Sequence, residues 1–261
     1  MSLTLIIAQL FGNSLDLCKG HNMPNMWADK RLNIVPAEAP ISAKIPVSVG
    51  VGFAQKLRRE KAAILTYFGD GATSSYGFHS GLNFAGVFKT PNVFLLQNNQ
   101  YAISTPVSHQ TASKTLAAKA EAYGIRAERV DGNDILAIYT VTRKALDMAR
   151  DGCGPSLIEA ITYRIGAHST ADDPSRYRDD REVAEWRKKD PITRFRRYLE
   201  RRGLWNQEKE DQTIVENEKT LNEAIQEVQS YPPPPIESLF DDVYSGPPWH
   251  IVEQRRELLG K

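Results

Sequence analysis

Four short apolar runs separated by helical patterns constrain this chain more than any other feature. "KAAILTYF" (61–68), "NVFLLQ" (92–97), "RAERV" (126–130) and "PSLIEAITYR" (155–164) have the length and composition of strands. Between them lie helical patterns over 76–89, near 115–123, and from about Asn133 to Arg150, closed near Gly152. Such alternation predicts crossover units, because a parallel neighbour is reached only by carrying the chain across a sheet face. The expected class is therefore α/β, a parallel sheet with helices on both faces. Upstream, "IPVSVGVGFAQKLRR" (45–59) predicts a buried helix that packs closely through Ser48, Gly50 and Gly52. A chain of 261 residues, 41% of them apolar, can bury the core that this requires. No internal repeat is present.

The character changes after Arg164. "IGAHSTADDPSRYRDD" (165–180) is polar, Asp-rich and interrupted by proline, which suits a functional loop better than a connector. Its apolar anchors are few, Ile165 and Tyr177. Charged amphipathic helices are expected over roughly 181–202 and 207–230, before "PPPP" (232–235) breaks the pattern. The tail carries Leu239, Phe240, Val243, Tyr244 and Trp249 with little core of its own. The expected organisation is an α/β domain over 1–180 and a helical C-terminal extension over 181–261 that packs on the domain or on a partner.

Charge and cysteine content exclude several classes. A net charge of +1 supplies no global basic field for nucleic acid or an anionic membrane. The apolar start "LTLIIAQLF" is too short and too polar-flanked to span a bilayer, and it lacks a basic region before it. Cys18 and Cys153 match no metal-binding or redox spacing. Two free, buried thiols in a reducing cytoplasm are the expectation.

The candidate chemistry sits at strand ends. In "YFGDGATSS" (67–75), Asp70 falls between two glycines where a strand gives way to a helix. It is either turn chemistry or a ligand. "QNNQYAIST" (97–105) ends the next strand, and Asn99 lies 29 positions after Asp70, about one crossover unit. Neighbouring parallel strands would present both at one rim, where sheets of this kind bind ligands. A carboxylate, a side-chain amide and a backbone carbonyl are hard oxygen donors that suit Mg²⁺ with phosphate. The N–H groups of Gly71 and Ala72, opening the next helix, suit the phosphate itself.

A GDG followed about thirty residues later by NN, each ending a strand, resembles the thiamine diphosphate fingerprint. "GNSLDLCKGHNMP", "IPVSVGVGFAQKL", "FAGVFKTPNVFLLQNNQYAISTP", "YGIRAERVDGND", "LIEAITYRIGAHSTADDPSRYR" and "KKDPITRFRRYLERRGLW" extend the likeness over nearly the whole chain. They resemble the α subunit of the decarboxylating first component of 2-oxo acid dehydrogenase complexes. The resemblance implies the thiamine diphosphate-binding fold. It implies that Asp70, Asn99 and the Tyr101 carbonyl hold Mg²⁺, and that His168, near the diphosphate and the reactive carbon, is catalytic. Ile41 matches a position whose backbone touches the aminopyrimidine. Arg164, Ser169, Asp172, Tyr177 and Arg178 belong to the family's loop pattern. Ser169 stands at a regulatory phosphorylation position of some members, and Asp172 with Arg178 either hold the loop or form a surface ion pair.

The chain also departs from the family. Ser75, Tyr76 and Gly77 replace its usual Glu or Gln, Gly and Asp. Glu38, Ala39, Pro40, Ala43, Lys44, Ile45 and Pro46 stand where the family commonly reads Ser-Ser-Pro and then Thr-Gln-Ile-Pro, a pattern linked in some members to bound potassium, and the Lys44 ammonium is a candidate substitute for that ion. Several tens of residues that precede this start in the family, with a Tyr-Arg pair on the diphosphate, have no match here. The resemblance implies a β subunit that supplies the glutamate for the aminopyrimidine, two α with two β, and a lipoyl-bearing transacylase as acyl acceptor. The chain alone is expected to lack cofactor and to leave 165–180 mobile. "RIGAHSTADD" and "SLFDDVY" favour a branched-chain 2-oxo acid as substrate, with pyruvate or acetoin as alternatives. A degenerate α-like chain that only binds partners is the non-enzymatic alternative.

Overall fold

The computed structural model describes residues 1–36 and 38–260. Two compact units divide it: Glu38–Trp205, and Met1–Ala37 with Asn206–Lys261. In chain order the helices are α1 (Leu3–Phe11), α2 (Lys44–Leu57), α3 (Tyr76–Phe88), α4 (Val107–Gln110), α5 (Ile135–Arg150), α6 (Asp180–Arg187), α7 (Pro191–Arg201), α8 (Gln207–Gln229) and α9 (Trp249–Leu259). The strands are β1 (Ile64–Gly69), β2 (Asn92–Asn98), β3 (Tyr101–Ala102), β4 (Thr105–Pro106), β5 (Arg126–Asp131) and β6 (Ser156–Ile161).

The larger unit is built on a parallel sheet of order β1-β2-β6-β5. Side chains alternate across a strand, so the central β2 serves two cores. Phe94 and Leu96 point to one face, where they pack with Ile45 and Val49 of α2 and Phe78 and Leu82 of α3. Val93 points to the other, against Ala145 and Ala149 of α5. A strand covered on both faces needs a continuous apolar run rather than an alternating one, which is why "VFLL" has no polar break. Asp134 caps α5, its carboxylate accepting from the Leu136 and Ala137 N–H groups at 3.0 and 3.1 Å. The mixed α/β class with helices on both sheet faces is as expected.

Some local expectations change. A Cβ on Gly52 would lie 2.4 Å from Asn92 Oδ1, so α2 does approach β2 closely there. Gly50 has open space around it and takes no part in that contact. The segment expected as a helix near 115–123 winds as a 3₁₀ turn over Ala117–Tyr123 and is closed by Gly124 at φ 64°. The helix expected over 181–202 is two, α6 and α7. Pro191 cannot continue the first, and Asp190 caps the second by accepting from the Thr193 N–H at 2.8 Å. Neither free cysteine is buried: Cys18 is half-buried, and Cys153 is exposed in the turn that leaves α5.

In the smaller unit α1 packs on α8, with Ile7 and Ala8 against Ala224 and Val228. Asn13 Nδ2 donates to the Val228 carbonyl at 2.7 Å and ties the end of α1 to the same helix. The apolar start is thus an amphipathic helix with its own partner. No helix among the described residues is long and apolar enough to cross a membrane. The tail forms α9, and Leu239, Val243, Tyr244 and Trp249 are exposed.

Candidate functional site

Parallel pairing of β1 and β2 places Gly69 opposite Gln97. The next residues of each strand therefore leave the sheet at the same C-terminal rim, Asp70 from β1 and Asn98–Asn99 from β2. Asp70 opens a 3₁₀ turn, Asp70–Ser74, and is only 1% exposed. Its Oδ2 accepts from Gln110 Nε2 at 2.6 Å. Among the described residues it has no ion-pair partner. A Cβ on Gly71 would lie 2.8 Å from the Ala102 Cβ, so the turn and the β3–β4 hairpin meet closely enough to require glycine. Thr73 Oγ1 donates to the Asp70 carbonyl at 2.8 Å. The Lys119 ammonium in turn donates to the Thr73 carbonyl and Oγ1 at 2.9 and 3.0 Å, and burial pushes its pKa below the usual lysine value.

Beyond β2 the chain reverses within three residues. Asn98 Oδ1 accepts from the Gln100 N–H at 3.1 Å, and Gln100 takes a left-handed φ of 75°. Asn99 Oδ1 accepts from the Tyr101 N–H at 3.2 Å. The Tyr101 carbonyl accepts from the Arg164 guanidinium at 2.9 Å, and the same guanidinium reaches the Ile103 carbonyl. Ile103 itself holds a left-handed φ of 54°, costly for a β-branched residue. Tyr101 lies in a small aromatic cluster with Tyr163 and Val183, against which Ile165, Tyr177 and Trp186 pack. Its hydroxyl donates to Glu182 at 3.0 Å; burial, then that bond, pushes its pKa up.

The 165–180 loop carries its own fastenings. Arg178 donates to the carbonyls of Arg164, Ile165 and Gly166, and its guanidinium lies 5.6 Å from the centre of the Tyr163 ring. Asp172 Oδ2 accepts from the Tyr177 hydroxyl at 2.6 Å and from the His168 N–H at 2.7 Å. The tyrosine bond first, then the backbone bond, holds the Asp172 carboxyl below its ordinary range. Tyr177 also accepts from Arg164 at 2.9 Å, so one chain of contacts runs from the Tyr101 carbonyl to His168. The His168 side chain is exposed, as is Ser169, whose carbonyl accepts from the Asp172 N–H.

Ile41 sits beside the far end of the Asp70 turn. Its carbonyl accepts from Ser75 Oγ at 3.3 Å, while Ser42 Oγ donates to Ser75 Oγ at 2.9 Å. A Cβ on Gly77 would meet the Ser42 carbonyl at 2.8 Å, so the Ser75–Gly77 departure accommodates the 41–42 turn against the start of α3. Lys44 opens α2, and its side chain has no hydrogen bond or ion pair among the described residues.

Three supporting residues escaped sequence reasoning. Glu159 is buried inside β6, where Oε1 accepts from Asn98 Nδ2 at 2.8 Å; Oε2 accepts from the Ala117 N–H and Arg129 Nε. A carboxylate inside the apolar run "SLIEAI" was its signal. Gln110 and Lys119 carry no comparable mark, because only the fold brings them to the Asp70 turn.

Comparison with known proteins shows the family of the chain. Residues 1–237 match the model of the dehydrogenase E1 component. The chain is 42% identical over 257 residues to 2-oxoisovalerate dehydrogenase subunit alpha 1, mitochondrial, of Arabidopsis thaliana, covering 97% of this chain and 54% of that protein. It is 40% identical over 256 residues to the corresponding alpha subunit of Dictyostelium discoideum, covering 97% of this chain and 58% of that one. Pyruvate dehydrogenase E1 component subunit alpha of Staphylococcus aureus is 45% identical over 237 residues, covering 90% of this chain and 64% of that protein. The chain thus spans a little over half the length of the first two relatives. With the family model matched from residue 1 to 237 on a parallel sheet of the expected kind, the chain belongs to the dehydrogenase E1 component family.

Proposed function

We propose that this chain is the α half of a thiamine diphosphate- and Mg²⁺-dependent component that decarboxylates a branched-chain 2-oxo acid and passes the acyl group to a lipoyl-bearing transacylase. The observation that carries the reading is Asp70: a buried carboxylate, without a cationic side chain on it, at a rim shared with Asn99 and the Tyr101 carbonyl. A buried charge is costly unless paired, and a divalent cation supplies the pairing. The donor set fits: each of the three groups spends one acceptor site inside the protein and retains another. Asp70, Asn99 and Tyr101 would hold the metal, and the Gly71 and Ala72 N–H groups would meet the phosphates. The Ile41 backbone would approach the aminopyrimidine.

Bound thiamine diphosphate would supply the nucleophilic carbon and the electron sink. The chain's own tasks are then binding, orientation and proton handling. His168 would move a proton at its ring during substrate attack and acyl transfer. Arg164, Asp172, Tyr177 and Arg178 would hold the loop that presents it, and phosphorylation at Ser169 would crowd the cofactor's phosphates. A β subunit would complete the site in an assembly of two α and two β.

The branched-chain choice draws support from the 2-oxoisovalerate relatives, which match over 97% of this chain. The pyruvate reading draws support from the 45% identity of the S. aureus subunit. Assay of the assembled complex with 2-oxoisovalerate and with pyruvate separates them. The site itself is tested by Asp70→Ala: Mg²⁺-dependent cofactor binding should vanish while the melting temperature holds. Full cofactor affinity in that variant would sink the assignment.

A further inference from the structure

Asp70 is reached from outside its own turn by a neutral donor, Gln110 Nε2, 2.6 Å from Oδ2. The second hydrogen on that nitrogen goes to the Thr105 carbonyl at 2.9 Å. Both partners are acceptors, so the carboxamide orientation is fixed; flipped, its oxygen would face two oxygens. The backbone is tied as well, because Ser74 Oγ donates to the Gln110 carbonyl at 3.2 Å. Gln110 is thus bracketed by the two segments that form the rim, the 70–74 turn and the 101–106 hairpin.

Its remaining polar atom has nothing to do. Gln110 Oε1 is buried and has no hydrogen-bond partner among the described residues. Amide dimensions place it within about 5 Å of Asp70 Oδ2. An orphaned buried amide oxygen therefore lies beside a buried carboxylate that lacks a cationic partner. Two acceptors left together in this way suit a cation, or a water bound on one. Both are hard oxygens, the class that magnesium-like ions select.

We propose that Gln110 is a positioning residue of the Asp70 cation site: Nε2 fixes the carboxylate, and Oε1 offers a further oxygen to the ion or to a water bound on it. The inference rests on reading Asp70 as the metal ligand. Groups that orient a ligand typically change metal affinity about 10–100-fold when removed.

The test uses the assembled complex with thiamine diphosphate and Mn²⁺ as the probe, with free Mn²⁺ read by electron paramagnetic resonance. Gln110→Met keeps the volume and removes both polar atoms; it should weaken Mn²⁺ binding about ten-fold, a readout separate from any fall in the metal-free melting temperature as Asp70 and the Thr105 carbonyl lose their donor. Gln110→Glu places a second carboxylate on Asp70, so the metal-free melting temperature should fall and Mn²⁺ should restore it. A glutamine that served structure alone would give Gln110→Glu no larger Mn²⁺-induced rise in melting temperature than the wild type shows. Wild-type Mn²⁺ affinity in Gln110→Met, or a melting loss in Gln110→Glu that Mn²⁺ fails to recover, overturns the proposal. Should Gln110→Met not fold, the Mn²⁺ response of Gln110→Glu decides alone. Asp70→Asn separates the two ideas: wild-type Mn²⁺ binding there removes the cation site itself, whereas its loss beside an unaffected Gln110→Met removes only the role of Gln110.

Discussion

Asn98 Nδ2 donates to Glu159 Oε1 at 2.8 Å inside the sheet, one residue before the turn that presents Asn99. This contact links the core to the rim. Glu159 on β6 holds the side chain of Asn98, and the other end of that side chain accepts from the Gln100 N–H and sets the reversal. Arg129 supplies the counter-charge from β5.

Glu159→Ala should therefore cost about 3 kcal/mol or more, the scale of stranding buried partners of a charged group. Asn98 Nδ2 and the Ala117 N–H would both lose their acceptor. Urea unfolding gives the stability change, and cofactor titration gives the effect on Asn99. Glu159→Gln keeps one acceptor and should lose less of both. Equal stability of Glu159→Ala and wild type would show that the carboxylate is not holding the turn.

His168 should behave in the opposite way. Its side chain is exposed, and among the described residues the loop uses its backbone N–H, through Asp172. His168→Ala should leave the unfolding curve unchanged and lower lipoamide acylation by about 10²-fold or more, the scale of lost acid–base help. Acylation at the wild-type rate would return the side chain to solvent.

Asp172 gives the loop a pH dependence. Its bonds to Tyr177 and to the His168 N–H favour the charged form, so its pKa in the folded chain lies below the ordinary 3.8. A lowered carboxylate contributes order that is complete above the ordinary value and lost as pH falls through the folded one. Proteolytic cleavage within 165–180 should therefore rise on acidification below pH 3.8, before the sheet unfolds. In Asp172→Asn the loop should be loosened already at neutral pH, with little further change on acidification. An identical acid response in wild type and Asp172→Asn would assign the effect to another group.

The sheet was legible because its physics is local. Burial on both faces leaves an unbroken apolar run, and the crossover distance from Asp70 to Asn99 reflects one helix between two strands. The loop was less legible. Its polar composition suggested few anchors, yet Arg178 holds three consecutive carbonyls and Ile165 and Tyr177 pack on Tyr101 and Tyr163. Long arginines fasten backbone through contacts that leave no periodic trace. Gln110 was silent for the same reason, since its partner lies forty residues away. Pro191 was visible in the sequence. A single helix across it gives periodicity more weight than a residue that has no N–H to donate, and the chain breaks there instead.

Tyr163 should mark the alkaline limit of the aromatic cluster beneath the loop. Burial pushes its pKa from 10.0 up to about 12, with the nearby Glu182 charge adding to the shift. The neutral phenol is the form the folded chain favours. A raised pKa contributes stability that is complete below the unfolded value and disappears as pH rises through the folded one, here between 10.0 and about 12. Ionisation in that window would place a phenolate among Tyr101, Val183 and the stacked Trp186 ring, 5.3 Å away. Arg178 over the same ring offsets part of that cost. Ultraviolet titration should show a late-ionising tyrosine step near 12, and Tyr163→Phe should remove that step and flatten the alkaline fall in stability. Loss of a normally titrating tyrosine in that variant, with the late step still present, would move the assignment to another ring.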